Sequence, residues 1–173
     1  MGLLCDVWHK CRIQQAIVQD NDELAPPQTV QALPPEDKLE HGLCNCVLVQ
    51  VIDDADVVGV AGHRAAQLRL VFRPKLSHNH PLHNVPLAYV YWFSEFTTTQ
   101  PNLKMYRVEY QRDTRNHRVG SVIKLQSIRR LIQLVPVYGA RMNPALTSVN
   151  SMDLWRKYYV NSFFNKETYQ AVW

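Results

Sequence analysis

Two segments decide the fold class: Gln67–Phe72 (QLRLVF) and Pro86–Phe93 (PLAYVYWF). In the first segment Leu68, Leu70 and Phe72 alternate with more polar neighbours, the two-residue period of a strand with one buried face. The second segment is apolar on both faces, which is typical of a central strand in a sheet. Together they predict a mainly β protein built around this pair of strands.

The neighbouring segments repeat this β texture. Residues 46–52, 105–111, 119–125 and 131–137 are short β-branched or alternating runs separated by turns. Six such strands favour a small antiparallel barrel or a curled sheet. The predicted core contains Leu68, Leu70, Phe72, Tyr89, Val108 and Ile123.

The β domain comprises residues 46–140. The segments on either side of it, residues 1–45 and 141–173, differ from it in composition. Residues 1–45 are acidic and contain Pro26-Pro27 and Pro34-Pro35. Because proline favours extended backbone and lacks a donor, we expect an extended surface arm over residues 20–39. Residues 141–173 form an aromatic-rich tail that we expect to pack on the β domain. In it, Asn150 or Ser151 caps a short helix holding Leu154, Trp155 and Tyr158, and Asn165 caps a turn through residues 168–171.

The charge is unevenly distributed along the chain. The net charge is +4, but residues 1–60 hold ten acids and three bases, a net of −7. Residues 61–173 hold sixteen bases and five acids, a net of +11. This asymmetry indicates an intramolecular electrostatic clasp or a polyanion-binding C-terminal part. An unevenly charged solvated surface is the alternative.

Composition excludes several classes of protein. The chain is 46% hydrophobic and 20% charged, which is close to the globular average and excludes wholesale disorder or a coiled coil. The longest apolar run, residues 85–93, is about half of a membrane span, so we expect no membrane insertion. Asp6 and Lys10 interrupt any secretory signal. The chain is therefore expected to be intracellular, and its cysteines (Cys5, Cys11, Cys44 and Cys46) to be free thiols.

Two clusters resemble metal sites. His78, His80 and His83 offer imidazoles, but Pro81 breaks their spacing, and a polar loop between strands is the alternative. The acidic run of residues 53–56 (DDAD) is either a turn or a carboxylate cluster. Neither cluster has a complete shell nearby in sequence, and the cysteine spacing fits no common zinc template. We expect no metal and no cofactor. Catalytic motifs are also missing, so we do not expect an enzyme.

Eight short segments together carry a resemblance to a known family: Val7–Lys10, Leu24–Val30, Gln67–Phe72, Leu87–Phe93, Ser121–Ile123, Ser127–Arg130, Leu134–Pro136 and Tyr159–Phe163. They resemble the C-terminal region of large proteins encoded by Plavaka-type DNA transposons of mushroom-forming fungi. The resemblance spans about residues 7 to 165. It implies a detached tail or truncated reading frame of a transposon protein whose catalytic core lies upstream. No catalytic residue is carried over.

A weaker likeness concerns topology. The alternating strand, the following aromatic strand and the later VIKLQSIR segment (residues 122–129) are similar in order to bromo-adjacent homology modules, which are chromatin-associated β domains. This likeness supports the fold more than the function.

The basic half suggests a binding site. Tyr106 and Tyr110 are interleaved with its cations, and arginine over phosphate beside stacking tyrosine is a usual nucleic-acid pairing. The candidate residues are Lys104, Arg107, Arg112, Arg115, Arg118, Lys124, Arg129 and Arg130. We expect weak, sequence-independent binding to DNA or chromatin. We also expect the acidic arm to compete for this face, so that deleting residues 1–40 strengthens binding.

Other interpretations remain open. The arginines could cover a barrel face and pair with the acidic arm. The chain could be a protein-interaction module, self-associating or holding a transposase, or a transposon remnant without present activity; an enzyme using the histidines is a further alternative. In the protein-interaction module, the interface would consist of the aromatic residues of the C-terminal tail. These are Trp155, Tyr158, Tyr159, Phe163, Phe164, Tyr169 and Trp173, which could equally close the core.

Overall fold

The computed structural model describes residues 4–17, 20–37, 39–52, 59–97, 99–139, 143–166 and 168–169. Within these ranges the chain is mainly β, as predicted, and every strand pairing is antiparallel. None of the sheets in this part of the chain closes into a barrel, so the barrel alternative was wrong. No helix in these ranges is long and apolar enough to cross a membrane.

The described residues contain fifteen strands and one α-helix whose two ends are described; residues 166, 168 and 169 are also helical. The strands are β1 Cys5–Trp8, β2 Lys10–Ile13, β3 Ala16–Ile17, β4 Asp20–Leu24, β5 Gln28–Leu33, β6 Leu43–Cys44, β7 Cys46–Gln50, β8 His63–Pro74, β9 Leu87–Trp92, β10 Thr99–Gln100, β11 Met105–Glu109, β12 Gly120–Lys124, β13 Ile128–Ile132, β14 Leu134–Pro136 and β15 Lys157–Val160. The helix is α1 Ser151–Leu154, and short 3-10 turns occupy Gly59–Gly62 and Leu125–Ser127.

The long strand β8 organises the first sheet, whose order is β12-β9-β8-β7-β13. One edge of β8 pairs with β9. The other edge is shared, because β7 pairs with residues 63–67 and β1 pairs with residues 71–74. The N-terminal strand is thus built into the sheet formed by the central residues.

The first sheet is covered on both faces, which explains its apolar strands. In β7, Val47 and Val49 pack in one buried cluster with Val30, while Leu48 packs in a second cluster with Val108. The first cluster lies against a three-stranded sheet ordered β2-β5-β6. The second lies against a four-stranded sheet ordered β10-β11-β15-β14. Because alternate residues of a strand point to opposite faces, β7 is buried on both sides.

The Pro-rich segment was predicted to run extended outside the fold, and this was wrong for its central part. β5 pairs with β2 on one edge and with β6 on the other, and Val30 and Ala32 are buried. The prolines at positions 26, 27, 34 and 35 lie beyond the ends of β5, where no ladder donor is lost. Gly42 makes the return to β6: its φ is +66°, and a Cβ there would lie 2.5 Å from the Leu33 carbonyl oxygen.

The predicted burial of β8 is correct only in its first half. Leu68 is fully buried, but the pairing with β9 shifts between Leu68 and Leu70. This bulge at Arg69 reverses the alternation, so Val71 is buried while Leu70 and Phe72 are half-buried. Tyr89 and Ile123 are also half-buried, and Val108 is buried as predicted.

The C-terminal tail contains less helix than predicted. α1 ends at Leu154 because Trp155 is extended, and Tyr158 lies in β15 rather than on a helix. The single O–H of Tyr158 is shared between the carbonyls of Ser151 (3.0 Å) and Trp155 (2.9 Å), which fixes α1 over the strand. Farther along, Asn165 Oδ1 accepts the Thr168 N–H at 2.7 Å, as a capping residue would.

Candidate nucleic-acid interface

The eight predicted basic residues do not share one face. Five of them are exposed: Lys104, Arg107, Arg112, Arg115 and Lys124. Arg118 and Arg129 are half-buried, and Arg130 is only 5% exposed. The predicted cluster is therefore reduced to its exposed members, and these belong to different sheets and loops.

Arg118 is a structural residue rather than a surface contact. Its guanidinium donates to the Met152 carbonyl (2.9 Å) and to Asp153 Oδ1 (3.3 Å). It also lies 4.0 Å above the centre of the Tyr110 ring. These contacts bind α1 to the first sheet, and the side chain is only 18% exposed. Its role as a phosphate contact stays a prediction, and we leave Arg118 out of the surface described below because these contacts engage its guanidinium.

Arg129 and Arg130 lie in β13, away from the hairpin that carries Arg112 and Arg115. The Arg129 guanidinium donates to the side-chain oxygens of Gln15 (2.9 Å) and Gln50. The buried Arg130 backbone pairs with Leu48 of β7. Neither residue joins the exposed arginines in one cluster, as the sequence interpretation required.

A smaller group of cations lies on the outer side of β11 and β15. Arg107 pairs across the strands with Tyr159, and Glu109 pairs with Lys157. Val108 and Tyr158, the residues between them, are buried, so Arg107, Tyr159 and Lys157 share the outward face. Lys157 lies two residues along β15 from Tyr159, the partner of Arg107, which is a backbone separation of about 6.7 Å. This spacing is shorter than the Debye length of about 10 Å.

Both ends of β11 extend this basic strip. At one end, Lys104 occupies a left-handed turn with φ of +48°, which closes the β10–β11 hairpin. At the other end, a recess of about 360 Å³ brings Arg112 and Arg156 beside Glu109. We call Lys104, Arg107, Arg112, Arg156 and Lys157 the β11 surface. Its cations outnumber the single carboxylate of Glu109.

A hairpin tip adjoins the β11 surface at Arg112. The backbone of Arg112 forms an isolated antiparallel β-bridge with Arg118 across the hairpin. The Arg112 guanidinium donates to the Asn116 carbonyl at 2.7 Å. Asp113 at the tip accepts the backbone N–H groups of His117 (2.8 Å) and Arg115 (2.9 Å). These bonds, led by the His117 N–H, lower the pKa of the Asp113 carboxyl. The tip is thereby shaped by backbone bonds, and the Arg115 side chain stays exposed.

The tyrosines expected to stack on bases are not available. Tyr110 is 5% exposed and stacks on Phe93 at 4.3 Å, and Tyr106 packs edge-on against Phe96. Burial raises the pKa of the Tyr110 hydroxyl. Other aromatic rings replace them beside the cations.

Those rings belong to the C-terminal tail. A groove of about 600 Å³ next to Lys104 is lined by Phe163 and Tyr169, which are 57% and 47% exposed. Their ring centres are 6.0 Å apart. Of the proposed aromatic interface, Tyr158 is fully buried and Trp155 packs against the core. Trp173 lies outside the described residues.

The electrostatic clasp is present at one place among the described residues. Asp6 of β1 contacts Arg73 at 2.9 Å and Lys75 at 3.0 Å, and the hydrogen bond from Arg73 chiefly lowers the pKa of Asp6. Both cations belong to β8 and the loop after it. Within the described ranges, no ion pair joins the acidic residues 1–45 to the β11 surface, for which competition was predicted.

Of the two clusters that resemble metal sites, the structure describes only the histidine cluster of residues 78–83. His83 uses both ring nitrogens locally, toward the Leu76 carbonyl (2.9 Å) and the Asn84 amide (2.9 Å). His80 Nδ1 accepts the Leu82 N–H at 3.1 Å, so both rings shape their loop. Within the described ranges no three His, Cys, Asp or Glu side chains are grouped closely enough for a metal ion. Residues 53–56 lie outside those ranges.

Sequence reasoning missed two residues of the β11 surface, Arg156 and Lys157. They sit in the tail segment Trp155–Tyr158 (WRKY), which was interpreted as helical. The consecutive aromatic and β-branched residues Tyr158, Tyr159 and Val160 were the available signal for a strand. Only its pairing with β11 places these cations beside Arg107.

Comparison with known proteins gives one match. A family model described as a domain of unknown function (DUF6830) matches residues 4–112. The matched part begins at the residue before β1 and ends at Arg112, so it contains the first sheet up to β9 and the strand β11. No curated protein and no solved structure matches the chain.

Proposed function

We propose a function from the charges and aromatic rings on the surface of this chain, which belongs to the family described as a domain of unknown function (DUF6830). It is a non-catalytic β module, carried by a transposable-element-derived protein, that binds nucleic acid through the β11 surface. The transposon origin rests on the resemblance of the sequence segments. The binding function rests on the arrangement of charge and aromatic rings.

One observation carries the binding proposal. Arg107 and Tyr159 lie directly opposite each other on the outward face of β11 and β15, with Lys157 on the neighbouring row. Arg107 and Lys157 are exposed, and Tyr159 is half-buried. A guanidinium or ammonium group neutralises a phosphate, while an adjacent aromatic ring offers a face for a base. Lys104 with Phe163 and Tyr169 repeats this combination at the end of β11.

The arrangement favours unpaired bases over a duplex. A flat strand surface with exposed rings stacks bases that are splayed out, and such stacking is tolerant of sequence. The described residues include no long exposed helix for major-groove reading, so binding would depend mainly on phosphates. We expect micromolar or weaker affinity with strong salt dependence.

A fluorescence anisotropy titration with labelled single-stranded and duplex DNA tests the proposal. The variant Arg107→Gln/Lys157→Gln removes two charges from the β11 surface. The matched control Lys10→Gln/Arg12→Gln removes two exposed charges from β2. Each lost phosphate contact should lower the slope of log affinity against log salt by about 0.7 for a single strand.

We expect the β11 variant to lose about tenfold or more in affinity and about 1.4 in salt slope, with little change in the control. Equal affinities of the two double variants would contradict the proposal, because the effect would then follow net charge alone. Absence of binding at low salt would also contradict it.

The exposed rings favour a second candidate function. Phe163, Phe164 and Tyr169 leave apolar surface at the C-terminal tail, and aromatic residues are enriched at protein interfaces. A protein-interaction module, with a transposase or another chain as partner, therefore stands as the alternative. Failure of the titration above, together with concentration-dependent self-association in sedimentation, would favour this alternative over a remnant without activity.

A further inference from the structure

A second polar recess lies at the end of the first sheet. It has a volume of about 420 Å³ and is formed where β7 and β12 end and β13 begins, beside the 3-10 turn Leu125–Ser127. Its lining residues are Gln15, Gln50, Val51, Lys124, Gln126, Ser127 and Arg129. Lys124 and Arg129 are the cations of this set, and none of the lining residues that the structure describes is acidic.

The Arg129 guanidinium is fixed in orientation by two glutamines. Its Nε and Nη2 groups donate to Gln50 Oε1, and Nη1 donates to Gln15 Oε1 at 2.9 Å. The glutamines are held in turn, because Gln15 Nε2 donates to the Ile128 carbonyl (3.2 Å) and Gln50 Nε2 donates to the Ile52 carbonyl (3.0 Å). The planar fork is therefore held without a carboxylate.

This way of holding an arginine leaves both charge and donors available. A guanidinium has five N–H groups, and these bonds occupy three of them, so one N–H on each terminal nitrogen remains. Glutamine is neutral, so the positive charge of Arg129 is oriented but not neutralised. An arginine that served only to join β13 to its neighbours would gain more from a carboxylate partner.

The remaining lining residues add donors around Arg129. Lys124 is exposed at the end of β12 and contributes a second positive charge. Ser127 and Gln126 offer a hydroxyl and an amide. Two cations and neutral donors around an open recess match the requirements of a tetrahedral oxoanion.

We propose that this recess binds a phosphate group, with Arg129 as the oriented donor and Lys124 as the second charge. The volume exceeds that of a lone oxoanion, which leaves room for the rest of a phosphate ester. The site lies in a different sheet from the β11 surface and does not depend on it. A chain that failed to bind nucleic acid through β11 would still bind phosphate here.

NMR of the full chain in sodium phosphate tests the site, with ionic strength held constant by reducing sodium chloride. The side-chain Nε–H signal of Arg129 is the readout. We expect a saturable shift with millimolar affinity. Adenosine 5′-monophosphate separates the two sources of the ligand: tighter binding than inorganic phosphate identifies a phosphate ester, and equal binding identifies the free anion.

The decisive variant is Gln15→Glu. It keeps an acceptor for Arg129 Nη1 but adds a negative charge beside the guanidinium, so phosphate affinity should fall about tenfold or more. The matched control is Gln111→Glu, because Gln111 Oε1 accepts a 2.8 Å bond from Arg64 outside the recess. That variant should bind phosphate as the wild type does, as should Arg107→Gln.

Three results would overturn the proposal: the same Arg129 shift in a titration with sodium chloride alone, unchanged affinity in a folded Gln15→Glu variant, or equal losses in Gln15→Glu and Gln111→Glu. The amide spectrum of each variant shows whether it is folded. A second variant, Arg129→Lys, retains the charge but loses the planar fork, so it should bind more weakly than the wild type. Unchanged binding by this folded variant would also overturn the assignment.

Discussion

The Tyr110 hydroxyl donates a 2.8 Å hydrogen bond to the side-chain oxygen of Gln67, and both residues are almost fully buried. Gln67 lies in the middle of β8, and Tyr110 lies where the chain passes from β11 back to the first sheet. The bond therefore joins the two sheets inside an otherwise apolar cluster. It satisfies a buried amide oxygen that would otherwise cost free energy.

Tyr110→Phe should destabilise the fold by about 1–3 kcal/mol, because the ring is kept while the Gln67 acceptor loses its buried partner. Urea unfolding followed by tryptophan fluorescence measures this change. Tyr138→Phe is the matched control, since Tyr138 is 54% exposed. A loss of the same size in both variants would show that the buried bond contributes nothing specific.

Val30→Ala should cost about 1.5–3 kcal/mol, because Val30 is fully buried in the core formed with the first sheet. The same substitution at Val122, which is 54% exposed, should cost under about 0.5 kcal/mol. Thermal unfolding of the two variants compares them directly. Similar losses would mean that β5 adds no more to the core than an exposed position does.

Deletion of residues 1–40 should unfold or strongly destabilise the chain rather than strengthen binding. The deleted part contains β1, β5 and the buried residues Ile13, Val30 and Ala32. This reverses the expectation from the sequence, which treated the segment as a competing arm. Circular dichroism of the truncated chain is the measurement, and a cooperative unfolding transition at the wild-type temperature would contradict the prediction.

Arg118→Gln should destabilise the fold by about 1–3 kcal/mol, since the guanidinium bonds to Met152 and Asp153 are lost. It should weaken DNA binding no more than the control substitutions Lys10→Gln/Arg12→Gln, which remove charges outside the β11 surface. Arg115→Gln, at the exposed hairpin tip, should show little change in stability. Urea unfolding and the DNA titration together separate the two residues. If Arg118→Gln instead weakened binding with unchanged stability, the structural role assigned to it would be wrong.

Cys46 should resist alkylation in the native protein. Its burial raises the pKa of the thiol to about 12, from an ordinary value of 9.0, so almost no thiolate is present at pH 8. Mass spectrometry after iodoacetamide treatment, with a control in denaturant, measures this protection. Rapid modification of Cys46 in the folded chain would contradict the prediction.

The same shift predicts how stability changes at alkaline pH. The folded-state pKa of Cys46 is raised, so its contribution is fully present below about pH 9 and is lost as the pH rises toward 12. Cys46→Ala should therefore reduce the fall of the unfolding free energy across this interval. Other groups also titrate there, so the comparison is between the slopes of the two proteins. Parallel slopes would show that the thiol makes no contribution.

The strands of the central region could be predicted because their signal is local. Alternation and β-branched runs placed β7, β8, β9, β11 and β12 within a few residues of their observed bounds. The strand predicted over residues 131–137 instead covers the end of β13 and all of β14, and residues 128–130, expected to be a link, begin β13. The bulge at Arg69 could not be predicted in this way, because it depends on how β8 matches β9. β5 shows a local signal as well, since Val30 and Ala32 alternate with polar residues, but the flanking prolines outweighed it.

The binding surface could be predicted only in part, for a different reason. Sequence identifies which residues are cationic, but exposure depends on contacts with distant segments. Arg118 is occupied by Asp153, thirty-five residues later, and Arg129 by Gln15, one hundred and fourteen residues earlier. The cations of β15 join Arg107 through strand pairing. None of these contacts leaves a periodic trace in the sequence.

The shared edge of β8 has a consequence for how the chain associates. β1 covers residues 71–74 of that edge through only four paired positions, and it is separated from them by more than fifty residues of chain. A molecule in which β1 detaches presents an open edge of unpaired backbone groups, and its own β1 remains able to fill the same edge of another copy. Reciprocal exchange of this strand would give a swapped dimer in which each edge is again covered. The Asp6 contacts with Arg73 and Lys75 would re-form between the two copies, so high salt should favour release of β1 in both forms.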